Sequence, residues 1–340
     1  MESKPKRTFL PALSLLVCLS LACSCTESGH KAALPNVCGK AGEVMVVIDK
    51  SDWEGAIGSE LRDSLCADCP FLPMKEPLYT LINITPSNFG QMFQIHRNIL
   101  AFNIKADVVN PGVSYRYDRW AHPQIVITVS APTSEDAFTL LKGDISKILN
   151  ALEQAERDRV ITNTRQYQER KLSGAVKDFI GGNMVFPSGY SLKKQSHDFL
   201  WISYETTYVQ QGIFIYKYPA DGTTSQLSGQ SIINKRNAVL QKEVPGMRDG
   251  SYMTTSDILT PSVKYMSYHN RKFAEVRGFW DVHGDFMGGP FVSHTFFTPD
   301  GLNLICLESY VYAPKYDKRL YLRQVESLLY SFEWDEVLSK

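Results

Sequence analysis

The sequence predicts an α+β protein, with an N-terminal α/β sandwich domain and a C-terminal antiparallel sheet with flanking helices, joined by a long helical segment. Two observations separate the halves. Strand-like apolar runs alternate with amphipathic stretches in the first half, whereas aromatic-rich strand-like segments follow one another in the second. A third observation is the long helical periodicity between them.

Four short runs of apolar and β-branched residues predict buried strands in the first half. They lie at 43–49, 78–84, 98–104 and 124–130. A helix is expected over 53–65, where Ile57, Leu61 and Leu65 share one face, and another after Ser87.

A helical pattern begins after Thr133 and continues to residue 180, where Gly181-Gly182 stops it. Asp136, three residues after Thr133, resembles part of a capping box. The pattern exceeds a typical globular helix, so it indicates either a break near Asn163 or a helix that bridges two domains. We therefore expect domains at 38–158 and 183–340, with a linking helix at 159–182.

The second half contains strand candidates with strong aromatic content. They lie at 199–204, 212–218, 263–268, 271–280, 291–298 and 302–313. Asp300-Gly301 predicts a tight turn between the last two, and helices are expected over 228–242 and 316–332.

The N-terminus has the pattern of an export signal. Lys4, Lys6 and Arg7 precede an uncharged run at 8–22, which is too short for a membrane span. A cysteine after a small residue at the cleavage point predicts a lipoprotein acylated there, for example with palmitate. Cys23 after Ala22 is favoured because Leu21 gives the usual apolar approach, and Cys25 is the alternative. The division is then a signal peptide at 1–22 and a flexible tether at 23–37.

Charge excludes one class of partner. Without residues 1–22, acidic side chains outnumber basic ones by about two, and no basic stripe is visible. Nucleic-acid binding is therefore not expected.

Cys66 and Cys69 have the CxxC spacing of redox motifs. Those motifs place the first cysteine at the start of a helix, whereas this pair follows a helical pattern. A local disulfide or unpaired loop thiols are favoured.

Asp281, His283, Asp285 and His294 place carboxylates and imidazoles in a short span. His283, Asp285 and His294 are weighed as metal ligands, but no established ligand frame contains them. We expect a hydrogen-bonded turn, no metal and no cofactor.

Two other segments suggest binding. Tyr115, Tyr117, Arg119 and Trp120 interleave aromatic and basic side chains between predicted strands, which is typical of a binding surface and also of structural stacking. His96-Arg97 before a strand suggests an anion ligand or, preferably, a satisfied structural pair.

Several blocks resemble an uncharacterised lipoprotein family of the Bacteroidota, known as a domain of unknown function. The blocks lie at 96–98, 118–124, 186–190, 278–292 and 310–319, and the similarity extends from about residue 39 to residue 332. The resemblance implies a cell-envelope lipoprotein and brings no catalytic residues.

The sequence therefore favours a non-enzymatic binding or assembly module, anchored by lipid to the outer membrane and facing the periplasm. Its partner would be an envelope protein, a glycan or a lipid. The alternative is an envelope hydrolase with a site around Asp281, His283, Asp285 and His294.

Overall fold

The computed structural model describes residues 1–2 and 33–335. Cys23, Cys25 and most of the predicted signal peptide and tether lie outside these residues. The fold is α+β, as predicted, and both of its large sheets belong to one compact unit that begins at Asn36. The division at residues 158 and 182 stays a prediction.

The first sheet has five strands in the order β2-β1-β3-β5-β4. All neighbours are parallel except β4, which is antiparallel to β5. The strands are β1 (Glu43–Val47), β2 (Thr80–Ile84), β3 (Asn98–Ile104), β4 (Gly112–Tyr117) and β5 (Ile125–Ala131).

Both faces of this sheet are covered, which explains the continuous apolar runs of its central strands. Val44 and Val46 of β1 face a core that includes α2 (Ala56–Leu65), which follows the short α1 (Lys50–Glu54). Met45 and Val47 face the opposite side, where α3 (Gln91–Gln94) lies after a 3₁₀ turn at Pro86–Asn88.

One long helix, α4 (Ser134–Gln166), packs against both sheets. The Thr133 hydroxyl accepts a hydrogen bond from the Asp136 backbone N–H, as the capping pattern predicts. Its 33 residues span about 50 Å. Leu141 and Leu152 pack on the first sheet, whereas Ile161 belongs to the core of the second. The helix therefore bridges the sheets and ends at Gln166, three residues beyond the predicted break near Asn163.

The predicted linking helix at 159–182 is thus two helices. Residues 167–169 leave helical geometry before α5 (Arg170–Ile180) begins. Gly181 ends α5 with a positive φ of 72°, which glycine adopts without the strain that a Cβ atom causes.

The second sheet is antiparallel and has eight strands in the order β10-β12-β13-β14-β9-β8-β7, with β11 also paired to β12. The remaining two strands, β6 and β15, pair with each other. The elements of this half are β6 (Gly182–Asn183), β7 (Ser191–Gln195), β8 (Phe199–Glu205), β9 (Gln210–Pro219), α6 (Gly229–Glu243), β10 (Tyr252–Thr255), β11 (Ser262–Tyr268), β12 (Arg271–His283), β13 (Gly288–Phe297), β14 (Asn303–Tyr312), α7 (Arg319–Leu329) and β15 (Glu333–Trp334). A 3₁₀ turn at Thr224–Leu227 precedes α6.

Helices cover this sheet on two sides. On one side α5 and α7 contribute Val176 and Val325 to a core shared with the strands. On the other side α6 contributes Ile232 and Leu240 to an aromatic core around Phe214. In the part of the chain that the structure describes, no helix has the length and apolar character needed to cross a membrane.

Candidate functional site

A cleft lies where α4 and α7 meet the ends of the first sheet at which β1, β2 and β3 begin. It has a volume of about 790 Å³, which falls within the range of small-molecule sites. We call it the junction cleft, and its charged lining consists of Lys75, Glu76, Arg97, Glu156, Asp317, Arg319 and Arg323.

Glu156 of α4 organises one wall of the junction cleft. Its carboxylate accepts hydrogen bonds from Arg97 Nη2 at 2.8 Å and from Asn98 Nδ2 at 2.7 Å. Arg159 Nη1 lies 3.2 Å away, and Glu156 is only 1% exposed. The carboxylate is thus saturated by the protein, whereas the Nε of Arg97 is buried and has no acceptor among the described residues.

Arg323 of α7 forms the opposite wall. It donates to Glu153 Oε1 at 2.6 Å and to the Leu78 carbonyl at 3.1 Å. Its side chain is 10% exposed, and its Nη1 has no acceptor in the described chain. The Nη1 lies beside Gly42, where an added Cβ atom would approach it to 2.7 Å, so a side chain at this position would displace the guanidinium.

The start of α7 is capped by a residue from the first half of the chain. Glu76 accepts hydrogen bonds from the backbone N–H groups of Lys318 and Arg319, both at 2.7 Å. The Arg319 side chain donates to the Pro77 carbonyl. Burial and the neighbouring Arg323 charge lower the pKa of Arg319, and the nearby carboxylates of Glu76 and Asp317 offset this in part.

A second cleft of about 540 Å³ lies on the other side of α7 and shares Arg319 and Arg323 with the first. Its floor is an ion network in which Arg277 contacts Glu275 at 2.8 Å and also binds Glu326. Tyr330 donates to Glu275 at 3.1 Å. The charged groups of this floor are therefore paired with one another.

His294 lies beneath this network. Its Nε2 is 3.7 Å from Glu275 Oε2, beyond hydrogen-bond distance, and the ring packs against Phe273 and Tyr330. Burial lowers the pKa of His294 to about 4, because an imidazolium would lose its water. The imidazole is therefore neutral at pH 7.

The structure separates His294 from the other proposed hydrolase residues, Asp281, His283 and Asp285. His294 pairs in register with Glu275, whereas His283 lies at the far end of β12, eight residues or about 26 Å along an extended strand. His283 stacks on Tyr252, and Asp285 lies near Arg248. Across residues 33–335 no group of three or more His, Cys, Asp or Glu side chains is arranged to hold a metal.

The predicted aromatic surface is divided by the structure. Tyr115 and Tyr117 belong to the edge strand β4, so the prediction that this segment lies between strands is wrong for these two residues. Tyr115 packs on the first core, and Trp120 contacts Phe89 with Arg119 stacked over it at 4.2 Å. Tyr117 is exposed. Stacking within the fold thus accounts for most of this segment.

The cysteines of the described chain carry free thiols, at Cys38, Cys66, Cys69 and Cys306. Burial raises the pKa of Cys66 and that of Cys69, the latter to about 11. Both groups are therefore protonated at neutral pH and are poor nucleophiles.

Sequence reasoning found part of the junction cleft. It considered Arg97 as an anion ligand but did not single out Arg323 or Glu76. The available signal was the spacing of Arg319 and Arg323, which places two guanidinium groups on one face of a predicted helix.

Two family models match adjacent parts of the chain. The first, described as Domain of unknown function (DUF8532), matches residues 37–165, and the second, Domain of unknown function (DUF4837), matches residues 169–331. The gap between them coincides with the end of α4. The predicted resemblance to a domain of unknown function is confirmed, and the lipoprotein assignment stays a prediction.

A crystal structure from Bacteroides thetaiotaomicron VPI-5482 at 1.50 Å resolution is 10% identical to this chain. The similarity covers 46% of this chain and 46% of that chain, with a TM-score of 0.26. The chain thus spans less than half the length of that structure, and a score this low supports no conclusion about fold or function. No curated protein matches the chain.

Proposed function

We propose that this chain is a lipid-anchored protein of the cell envelope that binds a ligand in the junction cleft. The observation that carries the binding role is the cleft itself, a cavity of about 790 Å³ between two sheets, with buried donors that have no acceptor among residues 33–335. Such cavities, lined by apolar side chains and a few polar groups, are the usual sites for small ligands.

The location in the cell envelope is the second part of the proposal. Its support is the N-terminal pattern, with basic residues, a short apolar run and a cysteine at position 23 or 25. An acylated cysteine would hold the protein on a membrane, and we propose the periplasmic face of the outer membrane.

The anchor is tested on protein purified from its own membranes. Mass spectrometry of the mature N-terminus should show acyl mass on Cys23, and Cys23→Ser should remove it. Acyl mass that persists in Cys23→Ser and disappears in Cys25→Ser would assign the lipid to Cys25. An unmodified N-terminus in the natural protein would overturn the lipoprotein assignment.

The binding role is tested by filling the junction cleft. Leu320 lines the cleft and is 39% exposed, so Leu320→Trp should block the cavity without disturbing a core. Leu302, which is 68% exposed in a turn, provides the matched control Leu302→Trp. Native mass spectrometry should find a co-purifying small molecule on the natural protein and on Leu302→Trp, and none on Leu320→Trp.

The binding role fails if the natural protein carries no such molecule from its own envelope. It also fails if Leu320→Trp retains the same molecule, because the ligand would then lie elsewhere.

A further inference from the structure

We propose that the ligand of the junction cleft is an organic anion, recognised through a carboxylate or phosphate group by Arg97, Arg319 and Arg323. This inference rests on the proposed function and adds the chemical class of the ligand. Three properties of the cleft support it: its unsatisfied hydrogen-bonding groups, its charge and its apolar lining.

The unsatisfied groups around the cleft are donors. Arg97 Nε and Arg323 Nη1 are buried N–H groups without an acceptor in the described residues. The two buried carboxylates of the lining are already occupied, since Glu76 caps α7 and Glu156 binds Arg97, Asn98 and Arg159. A ligand that offers acceptors would therefore match what the cleft leaves open.

The arrangement of charge favours the same class of ligand. Arg319 and Arg323 are four residues apart on one face of α7, where two like charges repel. Glu153 neutralises Arg323, but within the described chain the Arg319 side chain hydrogen-bonds only to the neutral Pro77 carbonyl and forms no ion pair within 4 Å. A bound oxyanion between the two guanidinium groups would relieve this repulsion, and guanidinium binds such groups with two parallel hydrogen bonds.

Other charges in the cleft lie closer to its rim. Asp317 is exposed, and the exposed Lys75 contacts Asp68 at 3.4 Å. The walls also include the apolar groups of Val160, Leu320 and Tyr321. An organic anion would contact these groups as well as the arginines, which a bare inorganic ion would not.

The test uses the full mature chain with the substitutions Cys23→Ser and Cys25→Ser, so that no acyl chain contributes to binding. Inorganic phosphate and acetate are titrated against sodium chloride at matched ionic strength, with the melting temperature as the readout. We expect at least one of the two anions to raise the melting temperature of the parent protein. Arg319→Gln should weaken that anion's apparent affinity at least tenfold.

Arg116→Gln is the control, because Arg116 is an exposed cation on β4 outside the cleft. It should respond to both anions like the parent protein. Leu320→Trp serves as a second blocked variant if Arg319→Gln folds poorly, and it should also lose the response.

A flotation assay separates a free anion from a lipid headgroup. Vesicles of phosphatidylcholine alone are compared with vesicles that also contain phosphatidylglycerol. Binding to the second kind that Arg319→Gln abolishes supports a headgroup as the source, whereas a response to free anions alone supports a soluble ligand.

The inference is overturned if neither phosphate, acetate nor phosphatidylglycerol binds, or if Arg319→Gln and Leu320→Trp bind them like the parent. The binding role would survive such a result if Leu320→Trp still removed the co-purifying molecule, which would then not be recognised through an anionic group.

Discussion

Two arginine sites in this protein differ in how fully their donors are used. Arg236 of α6 is completely buried. It donates to both carboxylate oxygens of Glu308 and to the Thr255 hydroxyl at distances of 2.7 to 3.0 Å. In the junction cleft, Arg97 and Arg323 are largely buried, but each retains an N–H group that has no acceptor in the part of the chain that the structure describes. The first site is complete without a ligand, whereas the second leaves room for one.

Arg271 shows that an unsatisfied donor alone does not define a site. Two of its nitrogen atoms also lack an acceptor in the described chain, but the guanidinium is enclosed by Phe273, Phe296 and Phe332. Its Nη2 donates to the Leu329 carbonyl at the end of α7. The distinction that matters is the presence of a cavity beside the donor.

The largest expected effect comes from breaking the complete site. Arg236→Leu leaves the Glu308 charge buried and unpaired, which should reduce the free energy of unfolding by about 3–5 kcal/mol. Arg165→Leu removes an exposed partner of Glu333 and should cost below about 1 kcal/mol. Urea denaturation of both variants gives the comparison.

The pH dependence of the same variant adds a check. Burial raises the pKa of Glu308, and loss of the Arg236 charge should raise this pKa further. Protonation of Glu308 as the pH falls would remove the unpaired charge and so reduce the loss of stability in Arg236→Leu. The deficit should therefore be smaller at pH 5 than at pH 8. Equal deficits at both values would mean that Glu308 is not the source of the instability.

A buried imidazole provides the next test. Burial lowers the pKa of His294 to about 4. Between this pKa and that of the unfolded chain, His294 is protonated in the unfolded protein and neutral in the folded protein. The free energy of unfolding should fall with decreasing pH by about 1.4 kcal/mol per unit between the unfolded histidine pKa, near 6.5, and about 4. His294→Gln should remove this slope.

His283→Gln is the control for that experiment, since His283 is an exposed ring stacked on Tyr252. It should retain the slope of the natural protein. If His294→Gln also retains it, Glu275 or another carboxylate is the group that titrates.

Gly42→Ala tests the packing of the incomplete site. Gly42 has a φ of 74°, which costs a residue with a side chain about 1–2 kcal/mol, and the new Cβ would also displace Arg323 Nη1. Gly222→Ala has a similar φ of 80° and no neighbour within 4 Å, so it carries the backbone cost alone. Thermal or urea unfolding should show the larger loss for Gly42→Ala, and equal losses would mean that Arg323 moves aside freely.

The smallest effect is expected at the cap of α7. Glu76→Gln removes the charge that receives two backbone N–H groups and should cost about 1 kcal/mol in urea denaturation. Glu135→Gln is the comparison, because Glu135 lies in the first turn of α4, whose cap is Thr133. Its loss should amount to a few tenths of a kcal/mol. The reverse order would show that Glu76 is not the cap that stabilises α7.

Local patterns predicted most of the fold. The apolar runs at 43–49 and 98–104 became β1 and β3, and the capping pattern at Thr133 marked the start of α4. The edge strand β4 was missed because Gly112–Tyr117 mixes polar and aromatic residues and lacks the apolar run of a buried strand. Its pairing with β5 decides its structure, and that pairing is not local information.

The junction cleft was harder to predict for the same reason. Arg97 was recognised as a possible anion ligand from its position before β3, but the partners of Arg319 and Arg323 are remote in sequence. Glu153 lies 170 positions from Arg323, and Glu76 lies 242 positions from Lys318. Helical spacing places the two arginines on one face, and only the fold shows what faces them.

The contact between Glu76 and α7 has a consequence for the order in which the chain can fold. The cap is synthesised before the helix that it completes, because Glu76 precedes Lys318 by 242 residues. A fragment that begins at residue 169, where the second family match starts, would contain α7 but not Glu76. Two backbone N–H groups would then lose their acceptor, so this part of the chain is not expected to reach its full stability when produced alone.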